Sequence, residues 1–185
     1  MKKGKFIIIS GPSGVGKGTI CDRLLKELNA WYSVSMTTRE MRDGEVEGVN
    51  YYFISKDEFR KRIGEGKLLE YNIYNDNYYG TPKDKVLEKL DEGVNVFLEI
   101  DVNGAKNIKS IFPNALLIYI APPSIEELRA RLVSRGTEDL ETIENRLKIA
   151  SEELKQISFY DHVVINDNLE DAIGRVRNII LDDLA

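Results

Sequence analysis

Four glycines at the end of one apolar run constrain this chain more than any other feature. Residues 8–19 read IISGPSGVGKGT, with Gly11, Gly14, Gly16 and Gly18 in close succession and Lys17 as the only cation among them. Glycine loses more backbone freedom on folding than any other residue and brings no side chain, so such a cluster marks a place where something approaches the main chain closely. The run KFIIIS (5–10) before it reads as a strand, and Ile20, Leu24, Leu25 and Leu28 after it fall at helical spacing. A strand, a Gly-x-x-x-x-Gly-Lys loop from Gly11 to Lys17 and a helix together make a phosphate cradle. Consecutive backbone N–H groups converge on the anion, the helix adds its positive end, and the lysine reaches the outer phosphates of a nucleoside triphosphate. The expected phosphate contacts run through Gly11, Pro12, Ser13, Gly14, Val15, Gly16, Lys17, Gly18 and Thr19. Gly18 stands where Ser or Thr usually offers a hydroxyl to Mg²⁺, and Thr19 comes one position late. The ion is therefore expected to be held mainly by phosphates and water.

Three further β-rich runs follow, VNVFLEID (94–101), ALLIYIA (115–121) and HVVIN (162–166). All are apolar along most of their length rather than alternating, as strands covered on both faces are. Helical patterns come after them. Ser124 and Glu127 have capping-box spacing ahead of Leu128 and Leu132, and Leu169, Ile173, Val176 and Ile180 make one apolar face. This β-then-α rhythm predicts an α/β fold with a parallel sheet flanked by helices. The stretch 32–82 breaks the rhythm. It is rich in Tyr, Thr, Gly and Asn, with strand-like pieces SVSMTTR, NYYFIS and KLLEYNIY and a short helix starting at Ser55. It reads as a mixed α/β insertion, and the charged helical stretch 129–157 as a second one.

Bulk properties narrow the function. The 185 residues suit one domain, and 42% apolar content is enough for a core. A net charge of −5 argues against a surface devoted to nucleic acid. A single cysteine, Cys21, leaves no disulfide framework within the chain. The apolar run before Ser10 is too short for a signal peptide, and no segment approaches the roughly 18 to 20 apolar residues of a membrane span. The expectation is a cytoplasmic protein without a membrane or nucleic-acid partner, with monomer and homo-oligomer both open.

A phosphate loop alone does not separate one phosphoryl-transfer class from another. The segments SVSMTTREMRDGEVEGVNYYF (33–53), LLEYNIYNDNYYGTP (68–82), VFLEIDVNGA (96–105), IAPPSIEELRARLVSRGT (120–137) and VVINDNLEDA (163–172) carry more. In order and together, they resemble the successive signatures of the guanylate kinases, from about residue 5 to the C-terminus. The resemblance implies a P-loop kinase core (about 1–31, 83–125 and 158–185), a GMP-binding insertion (about 32–82) and a helical lid (about 126–157). It implies phosphoryl transfer from ATP to GMP with Mg²⁺.

By the same resemblance, Arg39 and Arg42 match the arginines on the GMP phosphate, where planar guanidinium forks suit a dianion. Tyr51 and Tyr79 match the tyrosines that assist them. Glu70 matches the acid that reads the base: an ionised carboxylate can accept from guanine N1–H and from the 2-amino group. Ser35 and Thr81 match the hydroxyls that complete the pocket. Taken singly, an Arg pair is usually a solvated face and a Glu usually surface; their joint occurrence within motifs favours the site.

On the expected strand 94–101, Phe97, Glu99 and Asp101 share one face by the period of two. The acidic pair suits Mg²⁺ organisation, with Asp101 acting through water, or contact with the acceptor nucleotide. The plainer alternative is a structural carboxylate capping the next helix at Asn103, and the functional reading is favoured over it. In the lid, Arg131, Arg135 and Arg146 match positions whose charge surrounds the migrating phosphoryl group. Arg129 reads as solvated or ion-paired. Asn166, Asp167 and Asn168 match the region beside the adenine of ATP. Met36, Met41 and Asp43 depart from the family pattern without removing either arginine. Two rivals remain: a phosphopeptide-binding module on the same fold, against which Lys17 and the lid arginines speak, and a kinase of another small acceptor, against which Glu70 speaks. His162 and Trp31 read as structural or surface residues, and Cys21 as core.

Overall fold

The computed structural model describes residues 3–74, 76–134, 136 and 139–185. Five parallel strands form the central sheet: β1 (Phe6–Ser10), β2 (Ala30–Tyr32), β7 (Asn95–Glu99), β8 (Leu116–Ala121) and β9 (His162–Ile165), in the order β2-β7-β1-β8-β9. β1 lies at the centre, with Ile8 opposite Leu98 on one side and Leu117 on the other. Successive side chains of β1 serve opposite faces. Ile7 and Ile9 pack with Ile20, Cys21 and Leu24 of α1 (Lys17–Glu27) and with Ile173, Val176 and Ile180 of α7 (Leu169–Leu184). Phe6 and Ile8 pack with Val86 and Leu90 of α3 (Lys83–Asp91) and with Val102, Ala105 and Ile108 of α4 (Val102–Ile111). That double coverage accounts for the continuous apolar runs.

β2 is a strand that the apolar pattern does not signal. It has three half-buried residues, Tyr32 pairs with Phe97, and the Ser33 amide donates to Phe97 O at 3.0 Å. The parallel sheet's pairing therefore runs to residue 33. β7 also ends at Glu99, short of the expected 101, so Asp101 is not a strand residue.

A second sheet, β4-β3-β6-β5, is built from β3 (Met36–Thr37), β4 (Tyr52–Phe53), β5 (Leu68–Tyr74) and β6 (Asn77–Pro82). α2 (Lys56–Gly64) covers it with Phe59, and Ser55 caps this helix as its sequence implies, accepting from the Glu58 amide at 3.1 Å. Gly80 is required there: a Cβ would lie 2.9 Å from the Phe59 ring. Leu69 of β5 joins the α3–α4 side of the main core and so fixes β5 beside α4. Helices α5 (Ile125–Ser134) and α6 (Leu140–Leu154) make a hairpin with its own small core of Leu128, Leu132, Ile143, Leu147 and Ala150. Arg129 pairs with Glu144 across that hairpin.

Candidate active site

The loop between β1 and α1 has Gly11, Gly14 and Gly16 at φ of 143°, 92° and 99°. Gly11 also passes so close to the sheet that a Cβ would sit 2.2 Å from Ile120 O. Lys17 folds back over this loop, its Nζ donating to Gly11 O at 2.7 Å and to Pro12 O at 3.1 Å. The ammonium is thus held where an anion on the loop would meet it. Asn166 is buried and donates from Nδ2 to Val15 O at 2.8 Å, bracing the loop from the end of β9. Asn168 caps α7 through the Glu170 and Asp171 amides, and Asp167 is exposed. None of the three lines the cleft below.

A cleft of about 280 Å³ opens between the loop, the second sheet and α6. It brings together Gly11, Pro12, Ser13 and Lys17 with Ser35, Arg39, Arg42, Tyr51, Glu70 and Tyr79, and adds Glu99, Asp101 and Arg146. Arg146 reaches over from α6, and its Nη1 donates to Ser13 Oγ at 2.6 Å. Gly14, Val15, Gly16, Gly18 and Thr19 complete the loop without lining the cleft. Arg131 also stays out of it, its Nε donating to Glu127 Oε1 at 3.1 Å on α5. Arg135 lies outside the described residues.

Arg39 makes a fork-to-fork pair with Glu45, at 3.0 and 2.7 Å, and its guanidinium carbon lies 5.6 Å from the centroids of Tyr51 and Phe53. The Arg42 amide donates to the same Glu45 carboxylate at 2.8 Å. Partial burial works against ionisation of Glu45, but Arg39 and that amide hold it below the usual carboxylate range. This arrangement gathers donors suited to a doubly charged oxyanion. Tyr51 and Tyr79 pack edge to face at 5.9 Å, and burial raises the Tyr51 phenol, which remains a hydroxyl donor.

Glu70 is 7% exposed and accepts from Thr81 Oγ1 at 2.5 Å, so Thr81 serves the site through Glu70. Its other oxygen lies against Gly104, where a Cβ would stand 2.9 Å away. Burial pushes the Glu70 carboxyl up to about 7, the nearby Asp101 adds to this, and Thr81 opposes it. Burial thus opposes the ionised form that guanine recognition needs.

Asp101 caps α4, Oδ1 accepting from the Gly104 amide at 2.8 Å rather than from Asn103, while Oδ2 accepts from Asn72 Nδ2 at 2.7 Å. Glu99 points toward Gly18, with 3.7 Å between its Oε2 and the place of a Cβ there. Burial raises its carboxyl, with Lys17 opposing. Among the described residues no group of three or more His, Cys, Asp or Glu could hold a metal ion. Two oxygen-bearing carboxylates beside a phosphate loop nevertheless fit magnesium, which keeps most of its water and takes few protein ligands.

Four cleft residues with polar side chains escaped sequence reasoning, Glu45, Asn72, Tyr74 and Glu153, as did Gly80, Ile100, Ile149 and Ala150. Glu153, on α6, has a buried Oε2 without a hydrogen-bond partner among the described residues. Burial pushes its carboxyl up to about 7, Lys17 opposing and Asp101 adding.

A phosphate loop facing a buried carboxylate and a double-arginine pocket across one cleft agrees with what comparison with known proteins finds. A family profile described as guanylate kinase matches residues 3–183. The chain belongs to the guanylate kinase family. It is 49% identical to the guanylate kinase of Clostridium tetani over 180 residues, 97% of this chain and 86% of that one. It is 50% identical to that of Clostridium acetobutylicum over the same length and shares. Its fold matches the crystal structure of guanylate kinase from Anaplasma phagocytophilum with a TM-score of 0.83 at 33% identity, covering 99% of this chain and 87% of that one. No helix among the described residues is long and apolar enough to cross a membrane.

Proposed function

We propose that the protein transfers the γ-phosphoryl group of ATP to GMP, giving ADP and GDP, with Mg²⁺ on the nucleotide phosphates. The observation that carries this reading is the buried Glu70, bonded to Thr81, lining the same cleft as Lys17 and the phosphate loop. ATP phosphates lie on the loop, and Lys17 leaves Gly11 O and Pro12 O to meet them. GMP lies against the second sheet, its phosphate on Arg39, Arg42, Tyr51 and Tyr79 and its base on Ser35 and Glu70, with Thr81 acting through Glu70. Mg²⁺ would supply charge neutralisation between the phosphates and would be held there by Glu99, while Asp101, both of whose oxygens are already bonded, faces the acceptor nucleotide.

The acceptor phosphate is already anionic near neutral pH, so no general base is required. Catalysis then rests on alignment and positive charge around the migrating group. Arg146, already bridging from α6 to the loop at Ser13, supplies that charge together with Lys17. Arg131 and Arg135 join them when the α5–α6 hairpin closes as a lid. Asn166, Asp167 and Asn168 border the adenine. The substrates are cytoplasmic metabolites, and the reading carries that location.

The test is a nucleotide panel with ATP as donor and ADP formation as readout. GMP should exceed AMP by about 10⁴-fold in kcat/KM, because adenine leaves the carboxylate unpaired. Glu70→Gln should lower kcat/KM for GMP by about 2 to 4 kcal/mol in transition-state terms and barely change AMP. Wild-type protein that uses AMP as well as GMP would overturn the assignment.

A further inference from the structure

Glu70 and Asn72 stand two residues apart on β5 and line the cleft together. The two-residue period of a strand puts them on one face. Opposite them, the first turn of α4 carries Asp101 and Gly104. Each Asp101 oxygen is held by a different element: Oδ1 by the Gly104 amide at 2.8 Å, Oδ2 by Asn72 Nδ2 at 2.7 Å. Glu70 is fixed as firmly, with one oxygen on Thr81 at 2.5 Å and the other against Gly104. Two carboxylates thus stand side by side at the start of one helix.

The Asn72 amide ties the Asp101 carboxylate to β5, the strand that carries Glu70. The amide orientation follows from chemistry: an Asn oxygen facing a carboxylate would set acceptor against acceptor, so the NH₂ must face Asp101. Asn72 therefore holds the Asp101 carboxylate turned toward β5 and available as an acceptor.

Guanine presents three N–H bonds on its Glu70 side, one at N1 and two on the 2-amino group. Glu70 can take N1–H and one amino hydrogen. The second amino hydrogen needs another acceptor, and Asp101 is the carboxylate beside Glu70. We infer that Asn72 is a positioning residue that sets specificity for the 2-amino group of the base, by holding Asp101 where that group arrives. The inference rests on the guanine reading above. It makes discrimination between GMP and inosine monophosphate, which keeps N1–H and lacks the amino group, depend on a side chain that touches neither the phosphates nor Glu70.

The experiment compares kcat/KM for GMP and for inosine monophosphate, with ATP as donor, in the wild type, Asn72→Leu and Asn72→Ser. Both substitutions remove the amide that reaches Asp101, one at similar volume and one smaller, so one folded variant suffices. Loss of a hydrogen bond to a charged group should lower GMP kcat/KM by about 10- to 50-fold. Inosine monophosphate should change by less than about threefold, so the ratio collapses toward the inosine level. A general structural defect would lower both in proportion, and that result overturns the inference. A wild type that discriminates, with variants that keep the wild-type ratio, also overturns it and leaves the guanine reading standing. A wild type that uses both nucleotides equally removes the guanine reading itself.

Discussion

Lowering the pH from 8 to 6 should weaken guanine recognition, and the size of the effect follows from Glu70. Its carboxyl, ordinarily at 4.5, stands at about 7 in the empty site, because burial penalises the charge and Asp101 adds repulsion. Only the ionised form accepts from N1–H and the 2-amino group. With a pKa near 7 the ionised fraction is about 0.9 at pH 8 and about 0.1 at pH 6, a tenfold loss of competent sites, or about 1.4 kcal/mol. Binding that draws the carboxylate fully into its ionised form should also release about half a proton per GMP at pH 7. The assay is calorimetric titration with GMP at pH 6, 7 and 8, in buffers of differing ionisation enthalpy, for wild type and Glu70→Gln. The GMP phosphate titrates near 6 on its own account. That contribution is common to both proteins, so the difference between them reads Glu70. A wild-type slope no steeper than that of Glu70→Gln would refute the reasoning. Stability gives a second reading of opposite sign. A carboxyl whose folded pKa lies above its unfolded one destabilises the fold as pH rises between the two values, here from about 4.5 to about 7, and the full cost stands above that window. Without nucleotide, Glu70→Gln should therefore be more stable than wild type at pH 8 by about 3 kcal/mol in urea melts, and close to it at pH 4.

Lys17→Ala should cut kcat by about 100- to 1,000-fold, as loss of a charge aimed at the transferring group does, with little change in melting temperature. Among the described residues its Nζ bonds only loop carbonyls that water can take over; near-normal turnover would remove the loop from the mechanism. Arg146→Ala should lower kcat by about 100-fold while GMP affinity, measured by titration, changes little. Weaker GMP binding with unchanged kcat would deny Arg146 a catalytic role. Gly104→Ala puts a methyl 2.9 Å from Glu70 Oε2. It should raise KM for GMP by about tenfold or more, as a displaced charged hydrogen bond does, and leave KM for ATP near wild type. Equal effects on both substrates would mean that the change spreads beyond the base pocket.

What could be read from the sequence divides along physical lines. The central strands were legible because burial on both faces forces unbroken apolar runs, as at Phe6–Ile9. The phosphate loop was legible because positive φ at Gly11, Gly14 and Gly16, and the contact of Gly11 with Ile120 O, admit almost nothing but glycine. β2 and β6 were not. β2 has three half-buried residues, and β6 reads NYYGTP, whose polar and glycine positions exist to meet Phe59 and Glu70 rather than to follow strand propensity. Arg39, Glu70 and Thr81 came only from the resemblance, since a lone arginine or glutamate carries no local mark of its task. Glu45 and Asn72 had no such help: Asn72 acquires its role from Asp101, 29 residues away, and only the packing of β5 on α4 brings them together.

The polar residues hardest to read are also those that weaken the empty fold. Keeping Glu70, Glu99 and Glu153 out of water raises all three carboxyls, an arrangement no packing argument would choose. The same desolvation makes a mismatched base expensive and a migrating phosphoryl charge strongly felt by Lys17 and Arg146. Low solvation at these carboxylates is thus the common physical source of the instability expected above pH 7 and of the discrimination expected between GMP and AMP. Replacing Glu70 should relieve the first and sharply reduce the second together.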